Sequence, residues 1–589
     1  MQTDPSKPPW WQTTTVYQIY PRSFMDSNND GVGDLPGIIS RLDYVKDLGF
    51  ETLWISPFYR SPQADFGYDV SDYQSIAPEY GTMDDAQNLI DEVHRREMRV
   101  VFDMIFCHTS IEHPWFTESR SGRDNPYSDW YIWRDGRQAL RGPTGYCGIS
   151  DRPKKKGLRQ LPPTNWKSIT GVNGWQYEPR RNQWFYTNFL SFQPDLNYRH
   201  PPVKEAMLDN VRFWLDRGVD GFRLDIFHAV FKDNQFRDNP FSFRIGQPAD
   251  SNDGANQIKK YTMNLPENIT FARELRRFTD QWSPQRLLLG EVFGRHQVIR
   301  QYLGTPEKPG NHAIFLFQMI RFTFSARFFR AILQTFEQHY PQPALPTLVL
   351  GNHDQRRWIS KVGAKTDGTT KTDRAKCISL LQLTARGIPV IYYGEEIGME
   401  DGDFPFRGAL DPVARQYSWL PRWVAGLLKL YLNRDGCRTP MQWTPDQNGG
   451  FTTADPWLPV HPNHTTVNVA RQQAAPDSLL NHYRTLLRLR RAQPALNSGS
   501  QHLLTPPAVP GSVVAYTRNT PTTDNENPGF SEILIAINFG RKTHTFANPT
   551  TCRTHIYTTS PDTQTTDNQI VLPPATAVIL GRDTTGAPA

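Results

Sequence analysis

The amino-acid sequence predicts an α/β protein: a (β/α)8 TIM barrel with a subdomain inserted after the third strand and an all-β domain at the C-terminus. Three observations lead to this prediction. Short apolar runs alternate with amphipathic stretches along most of the chain, which is typical of parallel βα units. The alternation is interrupted over residues 108–198, a stretch too long for an ordinary loop. After Pro494 the chain changes to short runs rich in β-forming residues between turns.

The barrel strands are predicted from runs that are apolar throughout, as expected for strands buried on both faces. Amphipathic patterns between them predict helices, and the first of these ends at a glycine. These helices are expected at residues 35–49, 84–97, 201–218, 325–339, 374–386 and 477–493. The eight predicted strands are residues 16–24, 52–58, 99–106, 221–227, 287–293, 313–319, 347–354 and 390–395.

The same patterns divide the chain into four segments. Residues 1–107 and 199–497 are expected to form the two parts of the barrel, and 108–198 the inserted subdomain, which is rich in Trp, Tyr, Gly, Pro and Arg. Residues 498–589 are expected to form a β-sandwich domain. Its predicted strands are residues 512–517, 532–538, 543–546 and 569–580.

Composition excludes several classes of function. The chain has 589 residues, 38% of them apolar and 21% charged, which fits a globular protein. The net charge of +6 is too weak a bias for a nucleic-acid partner, and the one dense basic run, residues 152–156, is interpreted as a solvated loop. Five scattered cysteines indicate neither a zinc site nor a disulfide framework. The absence of a long apolar run and of an apolar leader argues against a membrane span and leads us to expect a cytoplasmic location.

Ionisable residues follow the ends of several predicted strands, which is where a barrel places its active site. A single acid at a strand end is more often a helix cap or an ion-pair partner. Several acids converging on one pole are hard to explain by structure alone, because clustered like charges repel and raise one another's pKa. The candidate catalytic carboxylates are Asp225, Glu291 and Asp354, accompanied by His108, His353 and Arg223.

The spacing within this group suggests a division of labour. Arg223 and Asp225 are two residues apart on a strand, so they share a face, and Arg223 is expected to keep Asp225 ionised as a nucleophile. Glu291 follows an apolar run, where desolvation is expected to raise its pKa and suit it to act as a general acid. This pairing is typical of glycoside hydrolysis with retention, for which the two carboxyl groups are about 5–5.5 Å apart.

Motifs in the same segments resemble a known family. The sequence resembles glycoside hydrolase family 13, the α-amylase family, and within it the branch of oligo-1,6-glucosidases and maltases. The resemblance covers nearly the whole chain, with its motifs in the right order. These motifs are GYDVSDY at 67–73, DMIFCH at 103–108, QPDLN at 193–197, GFRLD at 221–225, GEVF at 290–293, NHDQRR at 352–357 and RTPMQW at 438–443.

The resemblance implies a role for each matching residue. Asp225 corresponds to the nucleophile, Glu291 to the acid/base, and Asp354 to the third carboxylate, which binds sugar hydroxyls and helps to distort the ring. Two histidines, His108 and His353, correspond to donors to the sugar that is cleaved off.

Three further positions complete the implied site. Arg223 corresponds to the arginine beside the nucleophile. Asp69 and Arg357 correspond to a pair that holds the non-reducing-end glucose, closes the pocket and makes the enzyme exo-acting. The family usually has Asn where this chain has Cys107, which puts in doubt the calcium site that this Asn serves in many amylases.

A second loop suggests a structural cation. Asp26, Asn28, Asp30 and Asp34, with the carbonyl of Val32, give alternating oxygen ligands of the kind that Ca²⁺ or Mg²⁺ prefers. Gly37 stands where an EF-hand needs Glu, so this loop is not an EF-hand, although it resembles the calcium loop after the first strand in this branch. A solvated, Asx-rich turn is the alternative interpretation. No organic cofactor is expected.

The substrate expected from the resemblance is a short oligosaccharide. Ile226 follows the nucleophile where α-1,6-specific relatives tend to carry Val and α-1,4 maltases Thr or Ala, which favours α-1,6 or mixed linkage. A dedicated α-glucosyltransferase or a sucrose or maltose isomerase would have the same catalytic residues and stays an alternative. A non-catalytic relative associated with a membrane transporter is a third alternative. It would be expected to have a membrane span and to lack the catalytic carboxylates, and the sequence shows neither feature. The loop at 137–159 is either an acceptor wall or surface, and the oligomeric state is left open.

Overall fold

Eight parallel strands form the central sheet, and we number them in chain order. They are β1 Val16–Ile19, β2 Thr52–Ile55, β3 Arg99–Ile105, β4 Gly221–Asp225, β5 Leu287–Glu291, β6 Ala313–Phe315, β7 Thr347–Val349 and β8 Ile388–Tyr392. Their spatial order is β6-β5-β4-β3-β2-β1-β8-β7. Apart from Arg99, every strand residue is buried, as expected for strands covered on both faces. All eight predicted strands are therefore present; seven begin where predicted and end earlier, and β8 both begins and ends earlier than predicted.

The structure is a computed structural model, and it describes residues 8–138, 160–244, 246, 248, 250–363, 369–427, 431–520 and 529–582. The basic run at 152–156 and nearly all of the loop at 137–159 lie outside the described residues. Our interpretations of both segments therefore stay predictions.

The barrel is closed between β6 and β7 by a side chain rather than by a ladder of backbone hydrogen bonds. The hydroxyl of Thr347 donates to the carbonyl of Ile314 at 2.9 Å and accepts from the amide of Leu316 at 2.8 Å. One β-branched hydroxyl thus bridges the two strands and satisfies a donor and an acceptor that would otherwise be buried without partners.

Helices follow the strands as the sequence predicts. The predicted helix at 35–49 is two helices, because the chain leaves helical geometry at Arg41, and Gly49 ends the second with a φ of 106°. The helices packed around the barrel are Leu35–Ser40, Leu42–Leu48, Met83–Arg95, Pro201–Asp216, Pro266–Thr279, His296–Ile299, Ala326–His339, Lys371–Thr384 and Leu479–Ala492. Within the described residues, none of the helices combines the length and apolar character needed to cross a membrane.

The inserted subdomain leaves the barrel after β3. It contains the helix Pro114–Ser121 and a three-stranded antiparallel sheet of Trp133–Arg134, Gln183–Tyr186 and Trp175–Glu178. Its aromatic core reaches the barrel, since Trp166 stacks on Phe236 from the loop after β4 at 5.4 Å between ring centroids.

The C-terminal domain is all β, as predicted. Its main sheet consists of Ser500–Leu504, Val513–Asn519, Glu532–Asn538, Ala577–Arg582 and Thr554–Thr558, in that spatial order, and a smaller sheet of His544–Ala547, Gln569–Leu572 and Gln564–Thr565 packs against it. The predicted strand at 569–580 is two strands in different sheets, because Pro573 and Pro574 interrupt it. The strands at 500–504 and 554–558 were not predicted.

Candidate active site

Arg223 lies at the centre of a cluster of carboxylates at the carboxyl ends of β3, β4 and β5. The strand register places it beside Asp103 of β3. Its Nη1 donates to Asp103 and to Asp225, both at 2.8 Å, and its Nη2 donates to Glu291 at 2.6 Å. The guanidinium is only 1% exposed. One buried positive charge therefore neutralises part of the charge of three buried acids and fixes their mutual positions.

Asp103 holds Arg223 in position. Its second oxygen accepts hydrogen bonds from the indole of Trp54 at 3.1 Å and from the hydroxyl of Tyr68 at 3.0 Å. With both oxygens occupied and its side chain fully buried, Asp103 orients Arg223 and has no free face for a ligand.

Glu291 is also held by the backbone of the residue after Asp225. The amide of Ile226 donates to the same Glu291 oxygen that Arg223 contacts, at 3.0 Å. Ile226 adopts a left-handed conformation with a φ of 32°, which is strained for a β-branched residue by about 1–3 kcal/mol. This conformation aims its N–H at Glu291.

Burial dominates the acidity of Asp225 and Glu291. Desolvation raises the pKa of Asp225 well above its usual value and raises that of Glu291, while Arg223 opposes both shifts and the neighbouring carboxylates add to them. Arg223 lowers the pKa of Asp225, as expected from the sequence, but it does not bring that pKa below its usual value. The ion pair is present, but burial and the repulsion between the carboxylates outweigh it, so the pair retains a proton to higher pH than exposed carboxyl groups would.

Asp354 behaves in the opposite way. Burial would raise its pKa, but His353 at 3.2 Å, Arg434 at 3.0 Å and Arg438 at 2.8 Å outweigh burial and hold the pKa of Asp354 well below its usual value. Its side chain is 29% exposed, against 11% for Asp225 and 6% for Glu291. Asp354 is thus an ionised carboxylate on the solvent side of the cluster.

The two predicted histidines lie at the same pole. The ring of His353 is sandwiched between Tyr20 and Tyr68, at 5.7 and 5.2 Å between centroids, and its Nδ1 lies 2.8 Å from the amide nitrogen of Gln18. His108 Nε2 lies 3.1 Å from the carbonyl oxygen of Tyr68. Burial lowers the pKa of His353 and lowers that of His108 to about 3, so both rings are neutral at physiological pH.

The structure corrects the predicted pair of Asp69 and Arg357. Asp69 is turned into its own loop, where it accepts hydrogen bonds at 2.9 Å from the hydroxyl of Ser61 and from the amides of Ala64 and Asp65. Arg357 is 1% exposed, and its Nη1 donates to the carbonyl of Tyr393 at 2.8 Å beneath the site. The guanidinium also lies over the rings of Tyr392 and Tyr393, so neither member of the predicted pair faces the cleft.

The pair that does flank the carboxylates is Asp65 and Arg434. Arg434 Nη2 donates to Asp65 at 2.8 Å, while its Nη1 contacts Asp354. Sequence reasoning missed both residues. Asp65 lies two residues before the GYDVSDY motif, and Arg434 lies four residues before RTPMQW, so the quoted motifs stopped short of them.

Cys107, which stands where an amylase calcium ligand is expected, contacts a lysine. The ammonium of Lys232 donates to Asp195, to the carbonyl of Ala229 and to the sulfur of Cys107. All of these groups are buried where the inserted subdomain returns to the barrel. A fixed cation therefore occupies this junction.

The predicted cation loop has oxygen-rich chemistry. Asp26 accepts from the amides of Asn28, Asn29 and Gly31, while Asp34 accepts from Ser27 and Gly37. Asp30 and Val32 are joined by a further bond between side chain and backbone. Over the described ranges, no three His, Cys, Asp or Glu side chains are close enough to hold a metal ion by themselves. An ion here would therefore also need the amide oxygen of Asn28 and the carbonyl of Val32, both of which suit a hard cation.

Taken together, the fold and the site define a class of enzyme. Paired buried carboxylates and an ionised third carboxylate, set at the carboxyl ends of the strands of a (β/α)8 barrel, are the equipment of a glycoside hydrolase. The family model for the α-amylase catalytic domain matches residues 18–499. The chain belongs to the α-amylase family, glycoside hydrolase family 13, and is a glycoside hydrolase.

Individual relatives agree with this family. The chain is 38% identical over 520 residues to a probable alpha-glucosidase of Rhizobium meliloti, with 87% of each chain covered. It is 33% identical to an oligo-1,6-glucosidase of Parageobacillus thermoglucosidasius, with 92% of each covered.

Two groups of solved structures are similar over 98% of this chain and the whole of the other. An alpha-glucosyl transfer enzyme is 35% identical with a TM-score of 0.84. The trehalulose synthase of Pseudomonas mesoacidophila MX-45 is 30% identical with a TM-score of 0.82.

Proposed function

We propose that this chain is an exo-acting, retaining α-glucosidase that releases terminal glucose from short oligosaccharides. The observation that carries the proposal is that a single guanidinium, that of Arg223, binds both Asp225 and Glu291. A shared guanidinium keeps the two carboxylates near each other, and this suits a double displacement through a covalent glycosyl-enzyme. An inverting mechanism needs a wider gap, because a water molecule must fit between the two acids.

The proposed chemistry proceeds in two steps. First, a carboxylate oxygen of Asp225 bonds to the anomeric carbon while the bond to the leaving oxygen breaks, and that oxygen takes the proton of Glu291. Then a water molecule attacks the same carbon, Glu291 removes its proton, and the carboxylate of Asp225 leaves. The raised pKa of the buried pair keeps one proton available for the first step, and Arg223 stabilises the remaining negative charge.

In this proposal the pocket is closed by Asp65 and Arg434, which replace the pair of Asp69 and Arg357. Asp354 is ionised and partly exposed, so it can accept hydrogen bonds from sugar hydroxyls, and Arg434 holds it beside Asp65. Asp69 contributes indirectly, because it binds the backbone amide of Asp65. A pocket closed at one end admits one terminal glucose, which is the basis for exo action.

A product assay tests the proposal. Maltose, isomaltose, sucrose and trehalose are incubated separately with the purified enzyme, and the products are separated by chromatography, with Asp225→Asn as the control. Glucose from maltose or isomaltose, absent with the control variant, is the expected result. Because Ile226 follows the nucleophile, we expect isomaltose, or both disaccharides, to be cleaved. No turnover of any of the four sugars would contradict the proposal.

A dedicated glucosyltransferase or isomerase is the second candidate. The similarity to an alpha-glucosyl transfer enzyme and to a trehalulose synthase favours it, since both structures match nearly the whole chain. The steps up to the glycosyl-enzyme are the same, and only the acceptor differs. Isomerised or longer products with little free glucose in the same assay would move the assignment to this candidate.

We also propose that the loop at residues 26–34 binds Ca²⁺ or Mg²⁺ as a structural ion. Support comes from its donor set, which includes the nearly buried carboxylates of Asp26 and Asp34. Ligand binding to the folded state alone raises its stability by mass action. We therefore expect Ca²⁺ to raise the thermal midpoint of chelator-treated enzyme, and the double variant Asp26→Asn, Asp30→Asn to show no such rise. Equal midpoints with and without Ca²⁺ or Mg²⁺ would exclude the ion.

A further inference from the structure

We propose that Asp411 is a positioning residue, which sets the orientation of Arg434 and through it the placement of Asp65 and Asp354 around the terminal glucose. The inference rests on the proposed function and concerns the binding half of the same site. Asp411 lies in the irregular segment after β8, and neither the sequence motifs nor the comparisons draw attention to it.

Asp411 holds Arg434 by three hydrogen bonds. One carboxylate oxygen accepts from Nε at 3.0 Å and from Nη2 at 2.7 Å, and the other accepts from the backbone amide of Arg434 at 2.7 Å. Asp411 is fully buried. Burial alone would raise its pKa, but Arg434 outweighs burial and lowers it, so Asp411 stays charged.

These three hydrogen bonds determine where the rest of the guanidinium points. With Nε and one edge of the planar fork fixed on Asp411, Nη1 is directed to Asp354 at 3.0 Å and Nη2 is shared with Asp65 at 2.8 Å. An arginine side chain facing three acids has several ways to pair with two of them. The bonds from Asp411 select one of these arrangements, so Asp411 acts on the sugar site only through Arg434.

Asp411 also has a structural role, which a test must separate from the proposed one. Its side chain accepts from the amide of Val413 at 3.0 Å and caps the helix Pro412–Gln416. That helix leads to Tyr417, whose hydroxyl donates to the carbonyl of Thr170 in the inserted subdomain. Loss of Asp411 could therefore act on the loop at the mouth instead of on Arg434.

The variant Asp411→Asn separates the two roles, because Asn is a good helix cap but carries no charge for the guanidinium. Asp435 provides the matched control: it is buried next to Arg434 in the turn Arg434–Arg438, and it accepts from the amides of Leu410 and Asp411 at 2.8 and 2.9 Å. The ratio kcat/KM is measured for both variants on maltose, isomaltose and an aryl α-glucoside.

We expect Asp411→Asn to lower kcat/KM at least about ten-fold, and by the same factor on all three substrates, because all three place the same glucose beside Arg434. We expect the Asp435→Asn variant to lose less, and unequally. Unequal factors for Asp411→Asn, or a matching loss in the control, would overturn the proposal in favour of the mouth loop.

A binding measurement keeps this proposal distinct from the proposed function. Calorimetry with 1-deoxynojirimycin, a glucose-shaped cation, needs no turnover and is expected to show binding that is weaker in Asp411→Asn by a similar factor. Weaker binding without turnover of any glucoside would sustain the role of Asp411 and reject the glucosidase. Equal binding to both proteins, or none to the wild type, would reject the role of Asp411. If Asp411→Asn does not fold, Asp411→Glu is tested in its place; it keeps the charge and is expected to show a smaller loss, again equal on all substrates.

Discussion

At the scale of single residues, the site sets burial against ion pairing for each carboxylate. For Asp225 and Glu291, which share one guanidinium, burial outweighs ion pairing, so the pKa of each is raised. Asp354 is more exposed and has His353, Arg434 and Arg438 around it, and its pKa is lowered. Asp354 thus differs in charge from the buried pair because its neighbours differ, which suits it to bind sugar hydroxyls while the pair holds the proton.

The role of Glu291 as proton donor can be tested with the leaving group. An aryl glucoside with an acidic phenol needs little help from an acid, whereas a sugar leaving group needs a proton. We expect Glu291→Gln to reduce kcat/KM on maltose or isomaltose by about 10²–10⁴-fold, the usual contribution of general acid catalysis, and to reduce formation of the glycosyl-enzyme from the aryl glucoside much less. Equal losses measured on both substrates in steady-state and burst kinetics would contradict this role.

The raised pKa of Glu291 also predicts how stability depends on pH. A carboxyl group whose pKa is raised by folding binds its proton more tightly in the folded state, so stability falls as pH rises from its unfolded pKa, about 4.3, through its folded pKa. Glutamine has no charge to bury. We expect Glu291→Gln to raise the thermal midpoint relative to the wild type at about pH 8 and to raise it less at about pH 4.5. A difference independent of pH, measured by scanning calorimetry, would exclude this cause.

The acids at strand ends could be predicted from the sequence, and the residues that surround them could not. Asp225 and Glu291 end apolar strands, so the barrel rule alone brings them to one pole. Asp65 and Asp69 are four residues apart in one irregular segment, where nothing in the spacing shows which side chain turns inward. Arg434 lies in a 3₁₀ turn, Arg434–Arg438, with no periodicity to orient it.

At the scale of elements, the barrel strands could be recognised in the sequence because they are buried on both faces. Their continuous apolar runs distinguish them from the amphipathic helices without any knowledge of contacts. Two breaks were not predicted, because both depend on local geometry. They are the break in the first helix at Arg41 and the division between the strands Gln569–Leu572 and Ala577–Arg582. The carboxyl ends of the strands were overestimated, in several of them because apolar residues continue beyond the last ladder hydrogen bond.

The junction between the inserted subdomain and the barrel gives a prediction at this scale. Lys232 and Asp195 form a buried ion pair, so removing either charge alone leaves the other without its partner. We expect Lys232→Met and Asp195→Asn each to cost about 3–5 kcal/mol, and the double variant to cost clearly less than the sum. Urea unfolding of the four proteins measures this; additive losses would show that the pair is not coupled.

At the scale of the whole molecule, the C-terminal domain shares a core with the barrel. Its strands Val513–Asn519 and Glu532–Asn538 contribute residues to the same apolar cluster as the helix Lys371–Thr384. Arg518 donates to the carbonyl of Thr384 at 2.6 Å, and the hydroxyls of Tyr516 and Thr384 are also 2.6 Å apart. The chain is therefore expected to unfold as one unit.

Truncation tests this shared core. A chain ending at residue 497 keeps the barrel, the inserted subdomain and every candidate catalytic residue, but it exposes the apolar faces of its last helices. We expect it to aggregate, or to unfold at a clearly lower temperature than the full chain, because contiguous exposed apolar surface favours association. A soluble truncated enzyme with an unchanged midpoint in calorimetry would show that the two domains are energetically separate.

The lysine at the subdomain junction has one more consequence. A positive charge that belongs to the chain cannot be extracted by a chelator, competed for by another ion or diluted away during purification. The ion pair that joins the inserted subdomain to the barrel therefore needs no bound metal ion, whatever happens at the loop at residues 26–34. The same feature means that ion concentration cannot regulate this junction. The positive charge of Lys232 can be removed only by mutation, by modification or by a pH high enough to deprotonate the lysine.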